Sequence, residues 1–251
     1  MRTKHSLIVA AVLAVVPAIA VAEHKVEVDQ QVVDGANAET IVKRHIAALG
    51  GAKLLRAGKS VTFTVSGEKM GKKFTKTVVQ ARPNLMRVDV QSEESFSKGF
   101  DGRVAWMKKG TAPAQALTAE ETTSMKSNAE FEEPLLDYAK KGTKVTLVGK
   151  VEVNQVPAYD LLVAFKNGET EHHFIDATSY LLLKRTMTMK EKDGKAKEMS
   201  VRFGDYKKVQ GRMVNHSVEW DGDDGKTYKS VVSNVAYDKP VNAKLFAMPK
   251  Q

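Results

Sequence analysis

From Ser60 onward, apolar residues recur at every second position in run after run, and this period constrains the fold more than any other feature of the chain. Val61, Phe63 and Val65 alternate with Thr62, Thr64 and Ser66; Met86, Val88 and Val90 alternate with Arg87 and Asp89; the segment from Lys73 to Ala81 is rich in threonine and valine. A period of two sends successive side chains to opposite faces, so these runs predict half-buried antiparallel strands. Asp101-Gly102 predicts a two-residue hairpin between Phe96 to Phe100 and Val104 to Met107. Strands resume at Val145 to Leu147, Tyr159 to Phe165, His172 to Ile175, Leu181 to Met189, Met199 to Phe203, Val214 to Trp220 and Tyr228 to Val235. Turn signals separate them at Asn154-Gln155, Asn167-Gly168, Asp193-Gly194, Gln210-Gly211 and Gly222 to Gly225. About a dozen strands in one sheet curl or close; they do not stay flat. The expected fold is mainly β (α+β), one large curved antiparallel sheet with helices on its concave side.

The helical period appears in two places. Asn37 is a good N-cap, Glu39 lies in the first turn, and Val42, Ile46 and Leu49 share a face until Gly50-Gly51; a short turn around Leu54 and Leu55 ends at Gly58. Between Thr111 and Gly142 a helical insertion interrupts the strands. Thr118 with Glu121 forms a capping box, and Pro134 predicts the first position of a second helix carrying Leu135, Leu136 and Ala139. The apolar residues of the insertion, Met125, Phe131, Leu135, Leu136 and Tyr138, are too few for a bundle, so they must cover the sheet.

The N-terminus has the form of a secretion signal: Arg2 and Lys4, an apolar run from Leu7 to Ala20, and Ala20-Val21-Ala22 as a small-x-small cleavage site before Glu23. The expected organisation is a cleaved signal at 1–22, a flexible leader at 23–36, and one domain at 37–251 with a helical lid at about 118–141. The expected location is the periplasm. With no cysteine among the 251 residues, the chain has no disulfide and no site for lipid attachment at the cleavage position. Without the signal, 37 basic and 30 acidic residues leave a formal charge of +7. The lysines are scattered over turns and strand faces without interleaved aromatics, which argues against a nucleic-acid groove.

Arg82-Pro83-Asn84-Leu85 stands where one strand must stop and the next begin. Proline cannot donate to a sheet ladder and biases its predecessor toward extended geometry, so Arg82 is expected at a strand end with its guanidinium positioned for use. That motif, Asp101-Gly102 with Trp106 four residues later, the helical insertion, Tyr159 to Phe165 followed by Phe174-Ile175-Asp176 and Leu181 to Leu183, and the terminal Ala243-Lys244-Leu245-Phe246 before Pro249 together resemble the LolA family of periplasmic lipoprotein carriers. The resemblance spans most of the chain beyond the signal, although its only compact motifs are the first two. It departs from the family in longer hairpins, in Met86 where an aromatic is common, and in Gly50-Gly51.

The resemblance implies an incomplete β-barrel whose open side is closed by an α-helical lid over an apolar cavity for acyl chains. It implies that Arg82 hydrogen-bonds helix carbonyls to hold the lid shut, and that Met86 lies near the cavity mouth. The candidate cavity-lining residues are Phe63, Val65, Met86, Val88, Trp106, Phe131, Leu135, Leu136, Leu161, Val163, Phe165, Met187 and Trp220. An ordinary ion pair would explain Arg82 equally well, and an ordinary core would explain any one of the apolar residues. The expected function is a monomeric carrier of lipoprotein or other acyl lipid, served by inner-membrane donor and outer-membrane acceptor proteins. An envelope sensor that detects lipoproteins and signals through a protein partner is the alternative.

Catalytic and metal chemistry find little support. His172 and His173 alternate across a strand, so they point to opposite faces and do not share a metal. Asp221-Gly222-Asp223-Asp224-Gly225 resembles the start of a calcium loop, yet Val232 stands where a bidentate glutamate is required. There is no Gly-x-Ser-x-Gly elbow, and no glycine-rich phosphate loop ends in Gly-Lys-Ser or Gly-Lys-Thr: Gly58-Lys59-Ser60 and Gly225-Lys226-Thr227 have Lys53 and Trp220 where the first glycine of such a loop is required, so neither an enzyme nor a cofactor is expected.

Overall fold

The computed structural model describes residues 36–190, 196–222 and 224–250; the expected signal, nearly all of the expected leader, the Asp193-Gly194 turn and Asp223 lie outside them. Helix α1 (Ala38–Ala48) starts where Asn37 accepts a hydrogen bond from the Thr40 amide at 2.8 Å, and it buries Ile41, Val42, His45 and Ile46. The short helix α2 (Ala52–Ala57) follows and is capped at Gly58. Gly50, at φ +120°, turns the chain between them, and a Cβ there would come within 2.7 Å of the Gly211 carbonyl oxygen.

Six strands then run from the middle of the sheet to one edge: β1 (Ser60–Lys69), β2 (Lys72–Ala81), β3 (Leu85–Gln91), β4 (Phe96–Phe100), β5 (Ala105–Lys109) and β6 (Gln115–Ala116). Helix α3 (Ala119–Asn128) and an irregular segment carry the chain to the opposite edge. Seven strands return from there: β7 (Lys144–Val153), β8 (Val156–Ala164), β9 (Thr170–Asp176), β10 (Leu182–Lys190), β11 (Ala196–Val209), β12 (Arg212–Asp221) and β13 (Thr227–Tyr237). Strand β13 pairs antiparallel with β1, so two meanders fuse into one 13-stranded sheet with β6 and β7 as its edges. The sheet is a curved, incomplete barrel. Because the insertion joins its two edge strands, this single stretch of chain has to cross the open side.

The capping box at Thr118 and Glu121 forms as expected and starts α3. The expected second helix does not form. Residues 134–142 are successive turns, because Asp137 adopts φ +54°, a left-handed conformation that an α-helix of L-residues does not tolerate in its interior. The expected two-residue hairpin at Asp101-Gly102 is a four-residue loop instead: Phe100 pairs with Ala105, and the Asp101 carboxylate accepts from the Arg103 and Val104 amides at 2.9 and 2.8 Å. Strand β11 also runs further than its apolar residues indicate, through Gly204 to Val209.

Three apolar clusters line the inner surface. The first joins Ile41, Val42 and Ile46 of α1 to Leu135 and Leu136 of the insertion and to Tyr159, Leu161, Val163 and Ile175. The second joins Met125 and Ala129 at the end of α3 to Met86, Val88, Val90, Phe100 and Ala105. The third, Met187, Val201, Trp220 and Tyr228, lies further along the sheet.

Candidate functional site

Between the first two clusters the inner face is not filled. A cavity of about 300 Å³ is bounded by the sheet through Val61, Phe63, His173, Leu182, Arg185 and Phe203, by α1 and α2 through His45 and Leu55, and by Phe131 to Pro134 of the insertion. The physical cause lies in how the insertion is fastened. Met125 and Ala129 seat one end in the second cluster, Leu135 and Leu136 seat the other in the first, and all four are at most 5% exposed. The stretch from Glu130 to Pro134 therefore bridges the cavity as a strap anchored at both ends.

Polar contacts hold the middle of this strap. Arg82, in the turn after β2, donates from Nε to the Gly58 carbonyl at 2.6 Å and from Nη1 to the Glu132 carboxylate at 2.8 Å, and its guanidinium lies 5.0 Å from the Phe131 ring centre. Its insertion partner is thus a carboxylate on the strap, and the carbonyl it holds is the C-cap of α2. The α3 carbonyls are taken by neighbours: Gln80 donates to Asn128 O at 3.0 Å and Asn84 to Lys126 O at 3.2 Å. Lys141 closes the strap from the other side, donating to Glu133 O at 3.0 Å and approaching Glu130 at 3.2 Å. Beyond the strap, Arg56 grips Asp137 through two bonds at 2.8 and 2.9 Å, which holds that carboxyl down at about 2.

One wall of the cavity is strongly polar. His173 and Glu171 share a face of β9, with Nε2 at 2.7 Å from the carboxylate, and Arg185 approaches the same carboxylate at 3.5 Å. Burial would raise the Glu171 carboxyl, but the His173 hydrogen bond and the Arg185 charge hold it below the usual range; burial pushes His173 down, toward the neutral ring. On the strap side, burial would raise Glu133, and the His45 imidazole 3.7 Å away brings it below the ordinary value. The His45 Nδ1 faces the Tyr180 carbonyl at 2.7 Å, so that nitrogen carries the proton and donates. Burial also drives the Tyr206 phenol upward while its hydroxyl donates to Leu182 O.

Of the apolar residues singled out in the sequence, Phe63 and Phe131 line this cavity. Met86 and Val88 pack in the second cluster, Leu135, Leu136, Leu161 and Val163 form the first with Phe165 against it, and Met187 and Trp220 belong to the third. Val65 is buried between its ladder partners Lys76 and Val232. Trp106 lies on the other face. It pairs with Gly99 while Phe100 pairs with Ala105 inside, and its indole donates to Phe246 O at 2.8 Å, pinning the C-terminal turn to the outer surface. This was legible in the pattern: in an antiparallel hairpin with either a two- or a four-residue loop, Trp106 faces an odd-numbered residue, so an inward Phe100 sends Trp106 outward.

Sequence reasoning missed the polar wall, Gln80 and Asn84. Glu171, His173 and Arg185 occur among ordinary strand alternation, and only the pairing of Arg185 with His173 across β9 and β10 brings them together. His172 faces the other side of the sheet and bonds Asp160 at 2.7 Å. Asp221, at the end of β12, binds Arg202 at 2.9 and 3.0 Å, and Asp224 in the loop after it accepts from the Tyr228 hydroxyl, so both carboxylates are used by hairpin contacts. Among the described residues no group of three or more His, Cys, Asp or Glu is placed to hold a metal, and no helix is long and apolar enough to cross a membrane.

No protein-family model matches the sequence, and no curated protein does. Solved structures do. A LolA superfamily protein from Nitrosomonas europaea aligns over 84% of this chain and 98% of its own, with a TM-score of 0.55 at 10% identity. A DUF1329 family protein from Desulfovibrio piger aligns over 84% and 97%, with a TM-score of 0.53 at 11% identity. A putative outer membrane lipoprotein-sorting protein domain from Vibrio parahaemolyticus aligns over 84% and 97%, with a TM-score of 0.51 at 13% identity. What the chain shares with them is the fold, an incomplete antiparallel barrel of the LolA kind.

Proposed function

We propose that this protein is a periplasmic carrier that takes the acyl chains of a lipoprotein, or another acyl lipid, under the strap and delivers them toward the outer membrane. The observation that carries this reading is the strap itself, fixed by apolar anchors at both ends and by polar contacts over a cavity in the middle. Each buried methylene is worth about 0.8 kcal/mol, so a long acyl chain gains on the order of 10 kcal/mol from an apolar shelter. The cavity of about 300 Å³ is at the small end for ligand sites, so bulky cargo requires the strap to lift. Hydrogen bonds of about 1 kcal/mol each in the middle permit that, whereas the anchors keep the strap attached.

The N-terminal segment with the form of a secretion signal agrees with the proposed location, and transient donor and acceptor membrane proteins would load and unload the carrier. The test is native mass spectrometry of protein purified from periplasm, together with uptake of a fluorescent fatty acid. Co-purifying acyl lipid or lipoprotein and saturable uptake are expected; absence of both refutes the proposal. A stoichiometric membrane-protein partner that stays bound without acyl cargo would point to a sensor.

A further inference from the structure

Arg185 and His173 are direct ladder partners on β10 and β9, and both line the cavity. Each has a buried nitrogen without a protein partner among the described residues. The Arg185 guanidinium reaches Glu171 through Nη1, leaving Nε–H unmatched, while His173 contacts Glu171 through Nε2, leaving Nδ1 unmatched in a side chain only 1% exposed. A carboxylate can only accept, so the His173 Nε2 carries the proton and Nδ1 presents a lone pair. The burial that keeps His173 neutral agrees with this tautomer. The pair therefore holds one unmatched donor and one unmatched acceptor just behind the cavity wall, reached once the side chains in front of them shift, and buried groups of this kind are costly unless matched.

We infer that the cavity receives the polar end of its ligand at Arg185 and His173, and that this end is a neutral group with one donor and one acceptor, such as an amide or a hydroxyl on an acyl chain. The inference rests on the acyl-carrier reading and names what its cargo presents. An ionised carboxylate would satisfy Arg185 but would set an acceptor against the His173 lone pair. It would also enter beside Glu133 on the strap, with Glu171 behind the pair. A neutral amide or hydroxyl meets both nitrogens and adds no charge.

The test uses the delipidated protein at pH 8 and three probes of equal chain length: octanamide, octan-1-ol and sodium octanoate, titrated by calorimetry. The amide and the alcohol should each bind at least tenfold more tightly than octanoate, and whichever of the two binds better indicates an N-acyl or a glycerol-type source. In Arg185→Met and His173→Phe the preference should fall below threefold. Octanoate binding as tightly as octanamide to the unmodified protein overturns the inference without any variant, and leaves the carrier reading standing. A preference that persists in both variants also overturns it. Failure of all three probes to bind, with no fatty-acid uptake, removes the carrier reading as well.

Discussion

Replacing Arg82 with leucine should unclip the middle of the strap without unseating its ends. The guanidinium makes two hydrogen bonds, at 2.6 Å to Gly58 O and 2.8 Å to Glu132, and rests over Phe131; the two charged side chains are 31% and 28% exposed. Exposed ion pairs are worth about 0.2–1 kcal/mol, and hydrogen bonds to buried charged groups about 1.5–3 kcal/mol. At this exposure the Glu132 contact is worth about 1 kcal/mol, and the cation–π contact adds roughly 0.5–1 kcal/mol. A loss of about 1–2 kcal/mol raises the open population of the strap about 5–30-fold. Amide hydrogen exchange at residues 130–133 should speed up by that factor, and uptake of a fluorescent fatty acid should accelerate with it. Glu132→Gln keeps the Gly58 bond and should give a smaller change, roughly 3–5-fold. The anchors at Met125 and Leu135 should keep their slow exchange. If exchange at 130–133 is unchanged in Arg82→Leu while overall stability falls, Arg82 is a fold-stabilising residue and not a clip.

Gly99→Ala places a Cβ 2.5 Å from the Trp106 indole, so it should destabilise the protein by about 1–3 kcal/mol in denaturant melts; no change would mean that the indole is free to move. Leu161→Ala, at a fully buried position under α1, should cost about 2–5 kcal/mol, and a cost below 1 kcal/mol would show that the first cluster collapses around the gap. The hydrogen bond to Asp160 raises the His172 pKa above the ordinary value of about 6.5, so this contact contributes fully below that pH and fades as pH rises through the folded-state value. The stability gap between the native protein and His172→Gln should accordingly be widest near pH 5–6 and narrow in alkaline buffer; a gap that widens with pH refutes the assignment. NMR titration should place the Asp137 carboxyl near 2, and Arg56→Gln should return it toward the ordinary value of about 3.9.

The strands were legible because a half-buried sheet writes its two faces into the sequence. Val61, Phe63 and Val65, or Met86, Val88 and Val90, need no neighbour to declare their alternation. Caps were equally readable, since Asn37 and Thr118 satisfy helix amides within three residues of themselves. The insertion was placed correctly between two sets of strands, but its second half was misread: Pro134 and two leucines mimic a helix start, and only the backbone at Asp137 shows that the chain turns away.

Which residues meet was a different matter. The sequence by itself determined the alternating strands, most of the turns between them, the place of the insertion, and an arginine at a strand end beside Pro83. Tertiary structure decided that β13 returns to β1 and so turns two meanders into one incomplete barrel, with the insertion strapped across its opening. It also decided that His173 and Arg185, backed by Glu171, line the same cavity as the strap's Glu133, and that Trp106 holds the C-terminal turn outside. The reason is physical. Periodicity and capping are local, set by a few bonds along one segment, whereas a cavity forms only where long-range pairing sets apolar anchors on either side of a gap that no nearby side chain fills.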